Sequence, residues 1–197
     1  CPDDITAECT SAAGAAVTFA ATATDTCDPS PTIVCMPASG GTFPFGPTMV
    51  MCTATDADFN ESMPCMFTVT IRDTTGPTIN CSPNITRECA SPAGVRVSYT
   101  TTATDACDAS PMLACAPPSG SVFPLGTTTV TCMAMDHAAP PNSSRCTFTI
   151  EVRDSVDPLI HCPNNINAVC SGDPLGTIVD YVVTATDLCD PNTVIVC

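Results

Sequence analysis

Sixteen of the 197 residues are cysteine, and a thiol can do three kinds of chemistry: it can oxidise to a disulfide, ligate a metal or attack as a thiolate. Spacing and neighbours decide between these. Cys1, Cys9, Cys27, Cys35, Cys52 and Cys65 follow one another at intervals of 8, 18, 8, 17 and 13 residues, without the C-x2-C knuckles typical of structural zinc. A nucleophile needs a nearby base, and the chain has two histidines, His137 and His161, no lysine and no tryptophan. Both histidines read as solvated loop residues, so an enzyme is not expected. Disulfides remain, and they imply an oxidising, extracellular or cell-surface compartment.

The next reactive set is acidic. Twenty Asp and Glu face five arginines, giving a formal charge of −15, which excludes nucleic acid and anionic membrane surfaces as natural partners. The acids recur: Asp25 and Asp28, Asp105 and Asp108, and Asp187 and Asp190 mark one corner; Asp56 and Asp136 end a strand; Asp73 and Asp154 sit at boundaries. Calcium takes six to eight oxygens, and Asp56, Asp58, Asn60 and Asp73 are the first candidates for it. The competing reading is that these aspartates serve turns by accepting local backbone hydrogen bonds. No other cofactor is required. Four N-x-[ST] sequons, at Asn60, Asn80, Asn84 and Asn142, point to covalent glycans in a secreted chain. Asn80 is followed by Cys81.

These residues repeat together. Cys81, Cys89, Cys107, Cys115, Cys132 and Cys146 reproduce the first six at an offset of 80 residues, 81 for the last; Cys162, Cys170, Cys189 and Cys197 begin a third set. The sequence divides into residues 1–75, a first repeat with its first strand partly missing, 76–156, a second, and 157–197, the N-terminal half of a third. A repeat of about 80 residues makes a marginal core, the physical reason to staple it.

Strands must position the cysteines. In Gly94–Thr100, Val95, Val97 and Tyr99 alternate with Arg96, Ser98 and Thr100, a two-residue period. Ala15, Val17 and Phe19 match them in the first repeat and Thr177, Val179 and Tyr181 in the third. Cys146, Phe148, Ile150 and Val152 share a face, as do Cys65, Phe67, Val69 and Ile71. Short strands bounded by Gly, Pro and Asp predict an all-β chain of tandem immunoglobulin-like β-sandwiches, disulfide-stapled and joined by short rigid linkers. No apolar run approaches the 20 or so residues that cross a bilayer, so direct membrane insertion is not expected.

Four motifs in fixed order, Ala-Thr-Asp-x-Cys-Asp, Pro-x-Ser-Gly-x-x-Phe-Pro-x-Gly-x-Thr-x-Val-x-Cys, Cys-x-Phe-Thr-[Val/Ile]-x-[Val/Ile]-Arg-Asp and Pro-x-Ile-x-Cys-x-Pro, resemble the hyalin repeat. The resemblance covers essentially the whole chain and implies an extracellular immunoglobulin-like module with adhesive or interaction roles. The His137–Asn142 loop departs from it, lacking a short Gly-Asn turn, and the third repeat lacks its last strands. Six cysteines allow 15 connectivities. The pairing expected is first with sixth, second with third and fourth with fifth: Cys1–Cys65, Cys9–Cys27, Cys35–Cys52, Cys81–Cys146, Cys89–Cys107 and Cys115–Cys132, with Cys170–Cys189 in the third repeat. Cys162 and Cys197 are then left without partners in this segment, as expected of a chain that continues or bridges to neighbouring molecules.

Arg72–Pro77 and Arg153–Pro158 join consecutive repeats, each ending in a proline that restricts itself and its predecessor. A stiff array follows. The expected function is a structural extracellular glycoprotein, an array building a filament, appendage or matrix by self-association, with outward methionines such as Met66 and Met133 offering contact surface. The alternatives are an adhesion or receptor stalk that holds a ligand-binding head, with other extracellular proteins or glycans as partners, and a spacer on an extracellular enzyme.

Overall fold

The computed structural model describes residues 1–169, Gly172 and residues 176–196. They form strands joined by turns and irregular segments, and among the described residues no helix is long and apolar enough to cross a membrane. In the first repeat the strands are β1 (Ile5–Glu8), β2 (Ala15–Ala16), β3 (Thr32–Met36), β4 (Thr42–Phe43), β5 (Gly46–Thr55) and β6 (Cys65–Arg72). The second repeat opens with β7 (Thr78–Asn80) and runs through β8 (Ile85–Glu88), β9 (Val95–Arg96), β10 (Thr102–Thr104), β11 (Met112–Ala116), β12 (Val122–Phe123), β13 (Gly126–Met135) and β14 (Ser143–Arg153). β15 (Leu159–His161) and β16 (Thr184–Thr186) belong to the third.

Two four-stranded sheets share one order, β1-β6-β5-β3 and β8-β14-β13-β11. In both, the first strand lies parallel to the last: Ile5 pairs with Val69 and Glu8 with Arg72, as Ile85 pairs with Ile150 and Glu88 with Arg153. Parallel pairing puts the end of β1 level with the end of β6, where the chain leaves the repeat. Short antiparallel ribbons β2-β4, β9-β12, β7-β10 and β15-β16 complete the set.

The expected alternation decides what is buried. Phe67, Val69 and Ile71 on β6 are buried, as are Phe148, Ile150 and Val152 on β14. Phe43, Val50 and Val69 are fully enclosed in the first core, and Phe19 meets Phe67 edge to face at 4.9 Å. Gly14 is required there: its φ is +110° and a Cβ would overlap the Phe43 carbonyl oxygen, so only glycine lets β2 approach β4. Gly94 stands in the same relation to Phe123.

The chain gathers into two compact units, the first comprising Cys1–Asn80, Thr102–Ala114 and Cys132–Cys146, the second Cys81–Thr101, Cys115–Thr131 and Thr147–Cys197. Within the first, Cys107 of the second repeat is part of the core cluster formed by Phe43, Val50, Phe67 and Ile71. Within the second, Tyr99 meets Phe148 edge to face at 4.9 Å and donates its hydroxyl to the Pro117 carbonyl. One strand expectation fails: Thr177, Val179 and Tyr181 are exposed and lie outside any strand. β2 and β9, the matching stretches of the first two repeats, are held by β4 and β12.

Candidate functional site

Each third-position cysteine sits in a turn built by its own aspartates. The N–H groups of Cys107 and Asp108 donate to Asp105 Oδ1 at 2.7 and 2.9 Å, and Ser110 N–H donates to Asp108 Oδ1 at 2.9 Å. The same bonds recur at Asp25, Cys27, Asp28 and Ser30 and at Asp187, Cys189, Asp190 and Asn192. The second carboxylate oxygen reaches across to the strand-end loop: Asp28 Oδ2 accepts from Ala57 N–H at 3.0 Å, and Asp108 Oδ2 from His137 N–H at 3.1 Å. These are turn aspartates, as the competing reading of the sequence has it. Asp108 is held below the usual carboxylate range by the Ser110 N–H bond and the His137 ring, 2.7 Å away.

The second-position cysteines are set by strands and linkers. Cys9 N–H donates to the Arg72 carbonyl at 2.8 Å, extending the β1-β6 ladder by one bond. Glu8 then takes hold of the linker, accepting from Thr74 N–H at 2.7 Å, from Thr74 Oγ1 at 2.8 Å and from Thr75 Oγ1 at 3.1 Å. Those bonds, Thr74 N–H foremost, lower the Glu8 pKa. Glu88 repeats this on Ser155 N–H and Oγ, and Cys89 N–H on the Arg153 carbonyl.

These two fittings are bonded to each other. Cys9 joins Cys107 with the Cα atoms 5.9 Å apart across 98 residues, and Cys89 joins Cys189 at 6.2 Å across 100. All four cysteines are buried. The expected pairs Cys9–Cys27, Cys89–Cys107 and Cys170–Cys189 are therefore corrected: the second cysteine of a repeat bonds the third cysteine of the next. Parallel pairing of β1 with β6 is the reason. Asp25 lines the same 370 Å³ cavity as Cys1 and Cys65, at the start of β6, whereas Cys9 follows the residue paired with Arg72 at its end. A bond between Cys9 and Cys27 would have to span the repeat.

Cys1 bonds Cys65, and Cys35 bonds its cross-strand neighbour Cys52 with Cα atoms 4.0 Å apart. Cys81, Cys115, Cys132 and Cys146 are each disulfide-bonded. Among the described residues Cys27 and Cys162 carry free, exposed thiols; Cys27 was expected to be bonded. Cys170 and Cys197 lie outside the described residues.

The proposed calcium ligands separate into two places. Asp56 Oδ1 accepts from Asp58 N–H at 2.9 Å and from Asn60 N–H at 2.8 Å, and Asp56 Oδ2 from Asn60 Nδ2 at 2.8 Å. Those bonds, the Asn60 side chain first, hold the Asp56 pKa down. Asp73 lies instead beside the equivalent loop of the second repeat, where Asn142 Nδ2 donates to Asp136 Oδ2 at 2.8 Å and to the Asp73 carbonyl at 3.2 Å. Burial first, and then repulsion from Asp105, Asp136 and Glu8, pushes the Asp73 pKa up. Glu8 and Asp73 offer carboxylate oxygens within 4.8 Å of each other. The sulfurs beside them, Cys9 and Cys107, are locked in a disulfide and cannot serve as thiolate ligands.

The sequons differ in what surrounds them. Asn60, Asn80 and Asn84 are exposed, and Asn84 accepts from Thr149 N–H through Oδ1. Asn142 is half-buried and spends its amide on both Asp136 and Asp73, so a glycan there would displace one of these bonds. His137 is exposed, and its ring is bonded to Asp108. His161 is exposed too, but on β15 rather than in a loop.

A model of the HYR domain matches residues 1–71 and again residues 72–152. The chain belongs to the HYR-domain family. Its relatives include hyalin of Strongylocentrotus purpuratus, 35% identical over 158 residues, and hyalin of Lytechinus variegatus, 35% identical over 161. Those matches take in 77% and 76% of this chain but only 13% and 29% of the two hyalins, so the chain spans less than a third of either. A structure of protocadherin gammaB7 EC3-6 aligns over 92% of the chain and 54% of its own length at 14% identity, with a TM-score of 0.36, a likeness too loose to bear on this chain. In the HYR repeats the Glu-Cys at the end of β1 and of β8 and the Asp-x-Cys-Asp corner are thus the two halves of one bonded joint.

Proposed function

We propose that this chain is part of a structural extracellular glycoprotein, an HYR array that builds a filament, surface appendage or matrix by self-association and carries no catalytic role. The observation that carries this reading is the joint: successive repeats are cross-linked at Cys9–Cys107 and Cys89–Cys189, and Glu8 and Glu88 bind the linkers beside them. Covalent joints suit a part that must hold its form under load. The surface for self-contact is the outer face of the first sheet, where Met36 pairs with Met51 and Met51 with Met66 in register, each exposed. Met133, the other methionine singled out in the sequence, is also exposed. Methionine is unbranched and polarizable, so such a row adapts to a partner's surface. Glycans at the exposed sequons, and a cation shared by Glu8 and Asp73, belong to the same proposal.

Electron microscopy of the material from its source tests it. Filaments with an axial period of whole repeats are expected in calcium, and shortening or dispersal on chelation implicates the joint carboxylates. Separate, unassociated chains would overturn self-assembly and favour the alternative, a stalk that spaces an adhesive head from the cell surface.

A further inference from the structure

Cys27 stands in the same turn as Cys107 and Cys189, yet it differs from both in burial. Asp25 Oδ1 accepts the Cys27 and Asp28 N–H groups, each at 2.8 Å, as Asp105 does for Cys107 at 2.7 Å and Asp187 for Cys189 at 2.7 Å. The turn is therefore formed whether or not its cysteine is bonded. Cys107 and Cys189 are 9% and 4% exposed, and each is bonded to the second-position cysteine of the preceding repeat. Cys27 is exposed and free.

We propose that Cys27 is the acceptor of an inter-repeat disulfide, and that its partner is the second-position cysteine of another HYR repeat. Recognition is specified by both existing joints. The donor is a Glu-Cys pair closing a strand of the pattern Ile-Thr-x-Glu-Cys, present here as Ile5–Cys9 and Ile85–Cys89. Its Glu is occupied with its own linker, as Glu8 is with Thr74 and Thr75, so the cysteine arrives on a fixed strand end. The proposal rests on this repeated geometry and stands whether or not the array forms a filament.

The oxidant is a small-molecule disulfide such as oxidised glutathione. The Cys27 thiolate attacks it, forming a mixed disulfide and releasing one glutathione thiolate; the incoming cysteine thiolate then displaces the second glutathione. Two protein thiols lose two protons and two electrons, and the glutathione disulfide is reduced to two thiols.

The test is disulfide mapping by mass spectrometry of non-reduced digests, in two arms. One uses the material from its source. The other uses the 197-residue chain equilibrated in a glutathione redox buffer, as equal parts of isotopically light and heavy protein. There Cys9 and Cys89 of another copy become available as reduced glutathione opens Cys9–Cys107 and Cys89–Cys189, and Cys170, preceded by Val169 rather than Glu, is the remaining second-position cysteine. In either arm the Cys27 peptide is expected to be bonded to a peptide carrying a second-position cysteine. A mixed light–heavy pair identifies a second copy as its source, and a peptide from beyond this sequence identifies a neighbouring repeat in a longer chain. Cys27→Ser should abolish the cross-linked species on non-reducing gels, at least tenfold, and leave Cys9–Cys107 intact; Cys162→Ser should leave them unchanged. Cys27 bonded to Cys162, to another Cys27 or to glutathione alone, or recovered as a free thiol in both arms, would overturn the proposal.

Discussion

Asp73 shows how one residue can weaken the place it occupies. Its carboxylate is partly buried and faces Asp105, Asp136 and Glu8, and these raise its pKa. A carboxylate whose folded pKa lies above its unfolded value opposes folding at neutral pH, and that cost is relieved as pH falls through the folded pKa. Glu8, Asp56 and Asp108 work the other way: their folded pKa values are depressed, so they stabilise above the unfolded value and lose that contribution as pH falls through the folded one. Asp73→Asn keeps an oxygen for the Thr75 N–H bond and removes the charge. The variant should therefore melt higher than the parent at pH 7, and the gain should vanish at pH 3, where Asp73 is protonated in both states. Calorimetry at the two pH values checks this, and a gain that persists at pH 3 would rule out charge as its cause.

At the scale of elements, the strands and their buried faces were legible because a two-residue period survives in β6 and β14 without interruption. Phe67, Val69 and Ile71, and Phe148, Ile150 and Val152, are buried as the alternation requires. The joint was not legible. Every repeat carries the same two residue types, so Cys9–Cys27 and Cys9–Cys107 look alike in sequence, and counting 15 pairings inside one repeat leaves the true partner out. What separates them is that β1 is parallel to β6, a relation between strands 60 or so residues apart that no local pattern encodes. The four calcium candidates divide between two loops for a related reason: Asp73 follows Asn60 in sequence but meets Asn142 of the second repeat. The ribbon β2-β4 yields a prediction of its own. Gly14→Ala places a methyl on the Phe43 carbonyl in a left-handed backbone, and the loss should exceed ~3 kcal/mol. Chemical denaturation of the variant measures it, and a loss below about 1 kcal/mol would show that β2 can pull away from β4.

For the molecule as a whole, the staples act on the unfolded chain. Closing a loop of 98 residues removes more denatured-state entropy than closing 17, about 4 to 5 kcal/mol against about 3 on the chain-entropy account. Cys107→Ala removes the Cys9–Cys107 staple and a buried member of the first core cluster together. The variant should lose about 4 kcal/mol or more, whereas Cys27→Ala, measured on the 197-residue chain while the Cys27 thiol is free and exposed and before it forms any inter-repeat cross-link, should cost under about 0.5 kcal/mol. Equal losses from the two would show that the Cys9–Cys107 bond does not stabilise the array.

The same bond gives the polypeptide a second covalent route past each linker. A protease that cuts after Arg72 severs the backbone between β6 and β7, but Cys9–Cys107 still ties the fragments on either side. One nick then leaves a chain of full mass, and parting it requires a reductant as well as a protease. An array wired in this way would outlast single cuts to its exposed linkers in a medium rich in secreted proteases, and its lifetime would follow the thiol chemistry of its surroundings.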